Sequence, residues 1–306
     1  MSKVICIGEA LIDFMPSLNG EFVKSPGGAP ANVAACVSRL GGDAQIVTKV
    51  GKDFLGDFLK DKIKSVGVNC ESIYTTEKCN TALAFISHNI NGERDFLFYR
   101  NPSADMLLSK DEIKKEWFSK GDILHYCSVD LIDAPVRKAH DKAIELAQEN
   151  GCIICFDPNI RLALWNNHEE YKNIVNKYIN YCNILKISND EVEFITGISD
   201  EERALEFLLE KVNMIIYTKG GEGASIITKE YIVNHEGFKV KVADTTGAGD
   251  SFIGAFLYQM LKNNISNIDK LDKDEAYKII EFSNKVAAYV VGKKGTINIM
   301  PTIDEI

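Results

Sequence analysis

The sequence predicts an α/β domain with a doubly wound, mostly parallel sheet, helices on both faces and a small β-sheet lid. Short β-rich apolar runs recur along the chain, and several are apolar on both faces, as in a sheet that is covered on both sides. Helical patterns alternate with these runs. Two other segments alternate around Asn-Gly, which is the strongest short signal for a β-hairpin.

The predicted strands of the large sheet share their apolar composition. They are Val4–Ile7, Ile46–Val50, Ile123–Tyr126, Ile153–Phe156, Ile184–Ile187, Ile215–Thr218 and Ser225–Thr228. Helical patterns lie between them, for example over Asp53–Ser65, Pro135–Asn150 and Asp200–Lys211. Ligands of such folds bind at the carboxyl ends of the strands. Polar residues stand there: Asp157, Ser188 and Lys219-Gly220.

The two hairpin segments are far apart in sequence. Leu11–Leu18 and Glu21–Ser25 flank Asn19-Gly20, and Thr81–Asn89 and Glu93–Arg100 flank Asn91-Gly92. We expect them to pair into a sheet that excludes water from the active end, whereas the alternative is two surface hairpins without a gating role. The expected main domain is 1–10, 27–78 and 103–306, and the expected lid is 11–26 and 79–102.

Composition and charge exclude several classes of partner. The chain has 306 residues, 45% of them hydrophobic, and a net charge of −9, which argues against nucleic acid and anionic membranes. Its apolar runs are far shorter than the ~18–20 residues of a membrane span. With no signal-peptide pattern, we expect a cytoplasmic protein. The eight cysteines are scattered; Cys152 and Cys155 should point to opposite faces of a strand, so we expect reduced thiols.

The run Asp244-Thr-Thr-Gly-Ala-Gly-Asp250 has the chemistry of a phosphoryl-transfer site. Glycines let the backbone turn tightly and expose its N–H groups. The apolar run Phe252–Leu257 predicts a helix whose N-terminus attracts anions. Asp250 would then lie at the mouth of an anion hole. The alternative is an ordinary glycine-rich loop with Asp250 as the helix N-cap.

A second motif is Pro26-Gly-Gly-Ala-Pro-Ala-Asn32, followed by a predicted helix over 33–40 that stops at Gly41-Gly42. Gly27 and Gly28 allow a ligand to approach the backbone. The amide of Asn32 both donates and accepts hydrogen bonds, which suits sugar hydroxyls, although it could equally cap the helix.

These two motifs together resemble the ribokinase-like carbohydrate kinases, over essentially the whole chain from Gly8 to Gly295. The likeness is closest to the fructokinases of that family, through Glu93–Asp105 and Phe156–Trp165. The resemblance implies the predicted fold and lid, and an ATP-dependent sugar kinase that uses Mg²⁺ and is activated by K⁺. It also raises the expectation of a homodimer through the lid, since such dimers occur in relatives.

The resemblance also implies roles for individual residues. Asp250 would be the base, beside an anion hole of Gly247, Ala248 and Gly249. Contacts to the sugar would come from Asp13, Gly27, Gly28 and Asn32, with Arg161 and Arg100 on sugar or phosphate. The nucleotide and its magnesium would lie near Lys186, Ser188, Glu191, Thr218, Lys219, Gly220, Gly223, Gly249 and Asn284. A monovalent cation would be held by Asp244, Thr246 and the loop containing Val290, Lys293 and Gly295.

One position departs from the family pattern Asn-x-x-Glu: Ser188 stands where the Asn is expected, with Glu191 in place. Two further expectations concern polar residues outside the motifs. We expect Asp130 and Asp133 only to cap the helix at Pro135, and His125 to have a core role.

The sequence thus predicts a kinase that converts D-fructose to fructose 6-phosphate. Alternative substrates are ribose, an aminoimidazole riboside or 2-keto-3-deoxygluconate, whose carboxylate Arg100 could meet. Two other classes are an inactive sugar-binding regulator and a nucleotide-binding module that acts through partners. The intact Asp250 and anion-hole glycines argue against the regulator.

Overall fold

The computed structural model describes residues 2–17, 19–88 and 94–306. The strands of this part of the chain are β1 (Val4–Ile7), β2 (Leu11–Pro16), β3 (Phe22–Gly27), β4 (Ala44–Gly51), β5 (Ile73–Thr76), β6 (Leu83–His88), β7 (Arg94–Tyr99), β8 (Ile123–Cys127), β9 (Ile153–Asp157), β10 (Ile184–Ser188), β11 (Met214–Thr218), β12 (Ala224–Ile227) and β13 (Ile232–His235). The helices are α1 (Ala29–Arg39), α2 (Phe54–Ser65), α3 (Pro135–Glu149), α4 (His168–Ile179), α5 (Asn189–Thr196), α6 (Glu201–Leu209), α7 (Ala248–Lys262) and α8 (Lys273–Val291).

The large sheet has the order β13-β12-β11-β10-β9-β8-β1-β4-β5. The strands from β11 to β5 are parallel to their neighbours, while β12 and β13 pair antiparallel at one edge. This confirms the predicted doubly wound, mostly parallel sheet. The strand order reverses around β1, which lies between β8 and β4, and such a switch point opens a crevice at the carboxyl ends of the strands.

Helices cover both faces of the large sheet. One apolar core lies under α1, α2, α7 and α8, and the other lies under α3 to α6. Cys155 belongs to the first core and Cys152 to the second, so these two thiols lie on opposite sides as predicted. All eight cysteines are free thiols.

The helix starts differ in how well the sequence predicts them. Helix α1 begins at Ala29, four residues before the predicted helix over 33–40, with Pro30 in its first turn. The expectation that Asp130 and Asp133 cap α3 is wrong, because the N-cap is Ala134 and it makes no side-chain cap bond. Asp130 is instead buried beside Arg100, and the Asp133 side chain is 98% exposed.

The two predicted hairpins form a separate small sheet of order β3-β2-β6-β7. Each hairpin is antiparallel, and β2 pairs with β6 in parallel register, with Ile12 opposite Leu83. The turn at Asn91-Gly92 and the strand end at Leu18 lie outside the described residues. No helix in the described ranges is long and apolar enough to cross a membrane.

Candidate active site

Two adjoining cavities open at the carboxyl edge of the large sheet. The smaller, about 180 Å³, lies between the small sheet and the N-terminal ends of α1 and α7. The larger, about 510 Å³, lies between the ends of β10 and β11 and the helices α7 and α8. Lys186, Thr245 and Gly249 line both cavities. A group passing from one cavity to the other would therefore pass the N-terminus of α7.

Asp250 lies at this junction, in the first turn of α7. The N-cap of the helix is Gly247, whose φ of 75° is a left-handed conformation that glycine adopts without strain. The alternative in which Asp250 itself caps the helix is therefore wrong. The Asp250 Oδ2 accepts a hydrogen bond of 2.7 Å from the Asn32 amide. Burial raises the pKa of the Asp250 carboxyl, while the Asn32 bond and the charges of Arg161 and Lys186 oppose that rise.

The N-terminal turn of α7 offers donors to the junction. Among the described backbone groups, the N–H groups of Gly249 and Asp250 have no backbone acceptor, as is usual in a first helical turn. The Ala248 N–H bonds the Thr245 carbonyl at 3.3 Å, so it is partly engaged. A β-carbon placed on Gly249 would lie 3.4 Å from the Lys186 ammonium, which shows how close that cation is to the turn.

Lys186 is held in place by Asp157. Its ammonium lies 3.2 and 3.1 Å from the two carboxylate oxygens of Asp157, and both side chains are at least nine-tenths buried. Burial raises the pKa of Asp157 to about 6, although the Lys186 charge lowers it. The Asp157 and Glu191 carboxylates keep the pKa of Lys186 above its ordinary value despite burial. The ammonium therefore stays charged at the junction.

The smaller cavity gathers most of the residues predicted to hold a sugar. Asp13, Gly28, Asn32, Arg161 and Asp250 all line it. A β-carbon on Gly28, whose φ is 103°, would lie 2.4 Å from the Glu9 carbonyl, so only glycine fits there. Gly27 is adjacent, and a β-carbon on it would lie 2.0 Å from the Asp13 carboxylate.

Arg100 lies in a buried cluster of charged side chains. Among the described residues that line the two cavities, Arg100 does not appear. Its guanidinium is buried in ion pairs with Asp105 and Asp130. The two carboxylates hold the pKa of Arg100 above its ordinary value, against the effect of burial. Arg100 therefore lies in a buried ion-pair cluster next to the small sheet, and its contact with sugar or phosphate stays a prediction.

The larger cavity gathers most of the residues predicted for the nucleotide. Lys186, Ser188, Thr218, Gly220, Gly223, Gly249 and Asn284 line it. Lys219 does not appear in the described lining, and its ammonium pairs with Glu201 at 2.8 Å. The Glu191 carboxylate accepts hydrogen bonds from the N–H groups of Ile160 and Ser188, at 2.7 and 2.9 Å, so it braces the loop after β9.

The predicted monovalent-cation residues come from two loops that the structure brings together. The N–H groups of Ala243 and Asp244 donate to the Val291 carbonyl, at 2.7 and 3.2 Å. The Asp244 carboxylate accepts the Thr246 N–H at 2.9 Å. The segment containing Val290, Lys293 and Gly295 therefore lies against the Asp244 loop. Within the described part of the chain, no group of three or more acidic, histidine or cysteine side chains could hold a metal ion.

Several lining residues of the smaller cavity were missed from the sequence: Glu9, Leu11, Ile86, Phe98, Val129 and Asn159. Glu9 follows β1 directly, so the rule that polar residues at strand ends face a ligand could have found it. Ile86 and Phe98 lie on the small sheet. Because their side chains are apolar, nothing in the sequence marks them as residues that line a cavity. The role of each lining residue stays a prediction.

Comparison with known proteins identifies the class that this fold and site define. The family described as pfkB family carbohydrate kinase matches residues 1–303. The chain therefore belongs to the pfkB family of carbohydrate kinases.

Individual relatives narrow the comparison. Fructokinase-2 of Solanum lycopersicum is 40% identical over 99% of this chain and 94% of its own length. The crystal structure of a fructokinase with bound ATP from Xylella fastidiosa superposes with a TM-score of 0.93 at 32% identity, covering 99% of this chain and 96% of that one. A fructokinase double mutant from Vibrio cholerae O395, in a form with fructose, ADP and potassium ion bound, gives 0.91 at 31% identity, with the same coverage.

Proposed function

We propose that this chain transfers the γ-phosphoryl group of MgATP to the 6-hydroxyl group of D-fructose. The observation that carries the proposal is the junction of the two cavities, where Asp250 lies beside the N-terminus of α7 and Lys186 faces both sides. Family membership and the fructokinase relatives supply the substrate class, since one of those structures holds ATP and another holds fructose and ADP.

Asp250 would act as the base and as the group that orients the sugar. A carboxylate is a weak base at neutral pH, but phosphoryl transfer passes through a loose transition state in which the nucleophile loses its proton late. Orientation of the hydroxyl in line with the phosphorus is then the larger part of the effect. The Asn32 amide holds the carboxylate for this purpose, with its own oxygen left to accept from the sugar.

The charge that develops on the transferred phosphoryl group would meet three kinds of donor. These are the N–H groups of Gly249 and Asp250, the Lys186 ammonium and the Arg161 guanidinium. Donors fixed in place before the reaction stabilise a transition state without reorganising. The Asp157 carboxylate fixes Lys186 in this way.

The residues present fit the two cations of the proposal. Mg²⁺ usually binds to substrate phosphates and water with few protein carboxylates, so Glu191 would reach it only through water while its oxygens stay on backbone N–H groups. K⁺ would lie between the Asp244 loop and the segment containing Val290, Lys293 and Gly295, which the bonds from Ala243 and Asp244 to the Val291 carbonyl hold together. There it would fix the conformation of the chain that leads into Gly247.

The placement of Arg100 favours a neutral sugar over a sugar acid. Its charge is already balanced by Asp105 and Asp130, so it has none to offer a substrate carboxylate. The smaller cavity presents the Asp13 and Asp250 carboxylates, which would repel an anionic group. Fructose fits these charges better than 2-keto-3-deoxygluconate does.

The small sheet would serve as the lid, with 11–26 and 79–102 forming it and 1–10, 27–78 and 103–306 forming the main domain. Leu11, Ile86 and Phe98 of this sheet already line the sugar cavity. Its other face carries stacked and edge-on aromatic rings of Phe14, Phe22 and Phe85, and Phe22 is 52% exposed. An exposed apolar patch of this kind marks a contact surface, so a homodimer through the lid is part of the proposal. Eight free cysteines suit a reducing compartment, for which we propose the cytoplasm.

A coupled ADP-release assay with MgATP, with and without potassium, tests the proposal. The panel is fructose, ribose, glucose, 2-keto-3-deoxygluconate and an aminoimidazole riboside, with D250N as the matched control. Turnover confined to fructose and lost in D250N is the expected result. Turnover on another sugar would replace the substrate and keep the mechanism. Folded protein that binds ATP but turns over none of the panel would favour the inactive regulator.

A further inference from the structure

The strongest unassigned group is the Glu9 carboxyl, which follows β1 at the switch point of the large sheet. Glu9 lines the sugar cavity and is 3% exposed. Its Oε1 accepts a hydrogen bond of 3.0 Å from the Ala29 N–H, at the start of α1. Its Oε2 is buried and has no hydrogen-bond partner among the described residues.

Glu9 belongs to a buried cluster with more carboxyl groups than cations. The cluster holds three carboxyl groups and one guanidinium: Glu9, Asp105, Asp130 and Arg100. Asp130 lies after β8 and Arg100 after β7, so the cluster joins the main sheet to the base of the small sheet. A second buried oxygen, Asp130 Oδ2, is also without a partner in the described part of the chain. One guanidinium cannot balance three carboxylates, and a proton on one of them removes part of the excess charge.

Other titratable groups face Glu9 from the surrounding elements. Cys127 on β8 is close enough for the Glu9 charge to raise its thiol pKa, and the His140 ring of α3 reaches the neighbouring Gly8. The remaining charged groups line the same cavity: Asp13, Asp250, Arg161 and Lys186. Burial is the largest influence on Glu9 and raises its pKa to about 7, while Arg100 lowers it and Asp105 raises it.

We propose that Glu9 is a positioning residue of the sugar site that holds the Gly28–Ala29 turn and takes up a proton when the sugar binds. The carboxyl group holds the turn through the Ala29 N–H in either protonation state. A sugar that fills the cavity displaces water from beside Glu9, and loss of water favours the neutral carboxyl. By linkage, the sugar then binds more weakly as the pH rises. The proposal rests on the sugar occupying this cavity.

Calorimetric titration of D-fructose in two buffers of different ionisation enthalpy, at pH 7, measures the protons exchanged on binding. The wild type should take up part of one proton, and E9Q should take up none. E9Q should keep its affinity within about tenfold, because the amide oxygen still accepts one neutral hydrogen bond from Ala29. D250N should still take up the proton. That result would separate Glu9 from Asp250, the other carboxyl group of the cavity whose pKa is raised. D133N, at an exposed position, should match the wild type.

Proton uptake that persists in E9Q, or a wild type that takes up none, would overturn the proposal. A second measurement needs no variant: the dissociation constant for the sugar should rise from pH 6 to pH 8, by at most about tenfold per pH unit. A constant value across that range would also overturn it. If the coupled assay shows another sugar as the substrate, that sugar is titrated instead, so failure of fructose as substrate is distinguishable from failure of the Glu9 proposal.

Discussion

The two cavities are lined by different kinds of side chain. The smaller cavity, proposed for the sugar, presents directional side chains, with Asp13, Asn32, Arg161 and Asp250 around a small volume. The larger cavity, proposed for the nucleotide, is lined largely by glycines and apolar side chains, among them Phe238, Val240 and Val242. Hydrogen-bonding side chains reject a wrong ligand by leaving buried groups unpaired, whereas an apolar wall discriminates weakly. We therefore expect single substitutions to cost far more on the sugar side.

The largest expected effect is that of D250N. The variant should fold normally, because its amide keeps the shape of the first turn of α7, and its kcat should fall on the order of 10²–10⁴-fold, the usual contribution of a positioned base. Steady-state kinetics with a thermal melt check this. An unchanged kcat would remove Asp250 from the mechanism and leave the sugar cavity without its reacting group.

The next largest effect is expected for Lys186, which lines both cavities. K186M should lower kcat on the order of 10²–10³-fold, as loss of one fixed donor to developing charge does. The KM values for sugar and for ATP should each change by only a few-fold, since the charge is needed most in the transition state. K142M is the matched control, because that lysine lies on α3, outside the lining of both cavities, and pairs with Glu145 at 3.1 Å. Equal losses in the two variants would show that the effect is general rather than local.

Substitution of Asn32 sharpens the contrast between the cavities. N32A should lower kcat/KM for the sugar about 10- to 100-fold, since a buried partner left unpaired costs about 1–3 kcal/mol, and should leave the KM for ATP unchanged.

The same variant has a pH signature. Asp250 must be ionised to act, and its pKa is already raised by burial; loss of the Asn32 donor raises it further. The acid limb of kcat/KM should therefore move to higher pH in N32A, while exposed N166A keeps the wild-type profile. An acid limb that does not move would show that the Asn32 bond does not control the base.

The smallest effect is expected for an apolar side chain that lines the larger cavity. V242S removes part of the wall of the nucleotide cavity at a position that is 58% exposed. The KM for ATP should rise by about two- to fivefold, which is the scale of a partly buried methyl pair, and the sugar KM should not change. A rise comparable to that of the sugar-side variants would contradict the comparison.

Most of the fold could be predicted from local sequence patterns, and the strands that were missed have local causes as well. The long apolar runs predicted the parallel strands because both of their faces are buried. The strands β5 and β13 were missed, since each has four residues and only partial burial. Both hairpins were found because Asn-Gly turns are read from adjacent residues.

The candidate site also has a part that the sequence predicts and a part that it does not. The α7 turn was predictable because Gly247, Gly249 and Asp250 lie within four consecutive residues of the sequence. The partners of Arg100 were not, because Asp130 lies thirty residues away and its role depends on how the small sheet joins the large one. A charged residue does not reveal from its own neighbours whether its charge is free or already balanced.

The wall shared by the two cavities has a consequence for ATP. Lys186, Thr245 and Gly249 belong to both, so on the proposed mechanism only the occupant of the smaller cavity would separate the terminal phosphate from Asp250. Without a sugar that occupant would be water, which also carries a proton and a lone pair. The yield of phosphorylated sugar per nucleotide consumed would then depend on the β3-β2-β6-β7 sheet, through how poorly it lets a single water molecule align for attack.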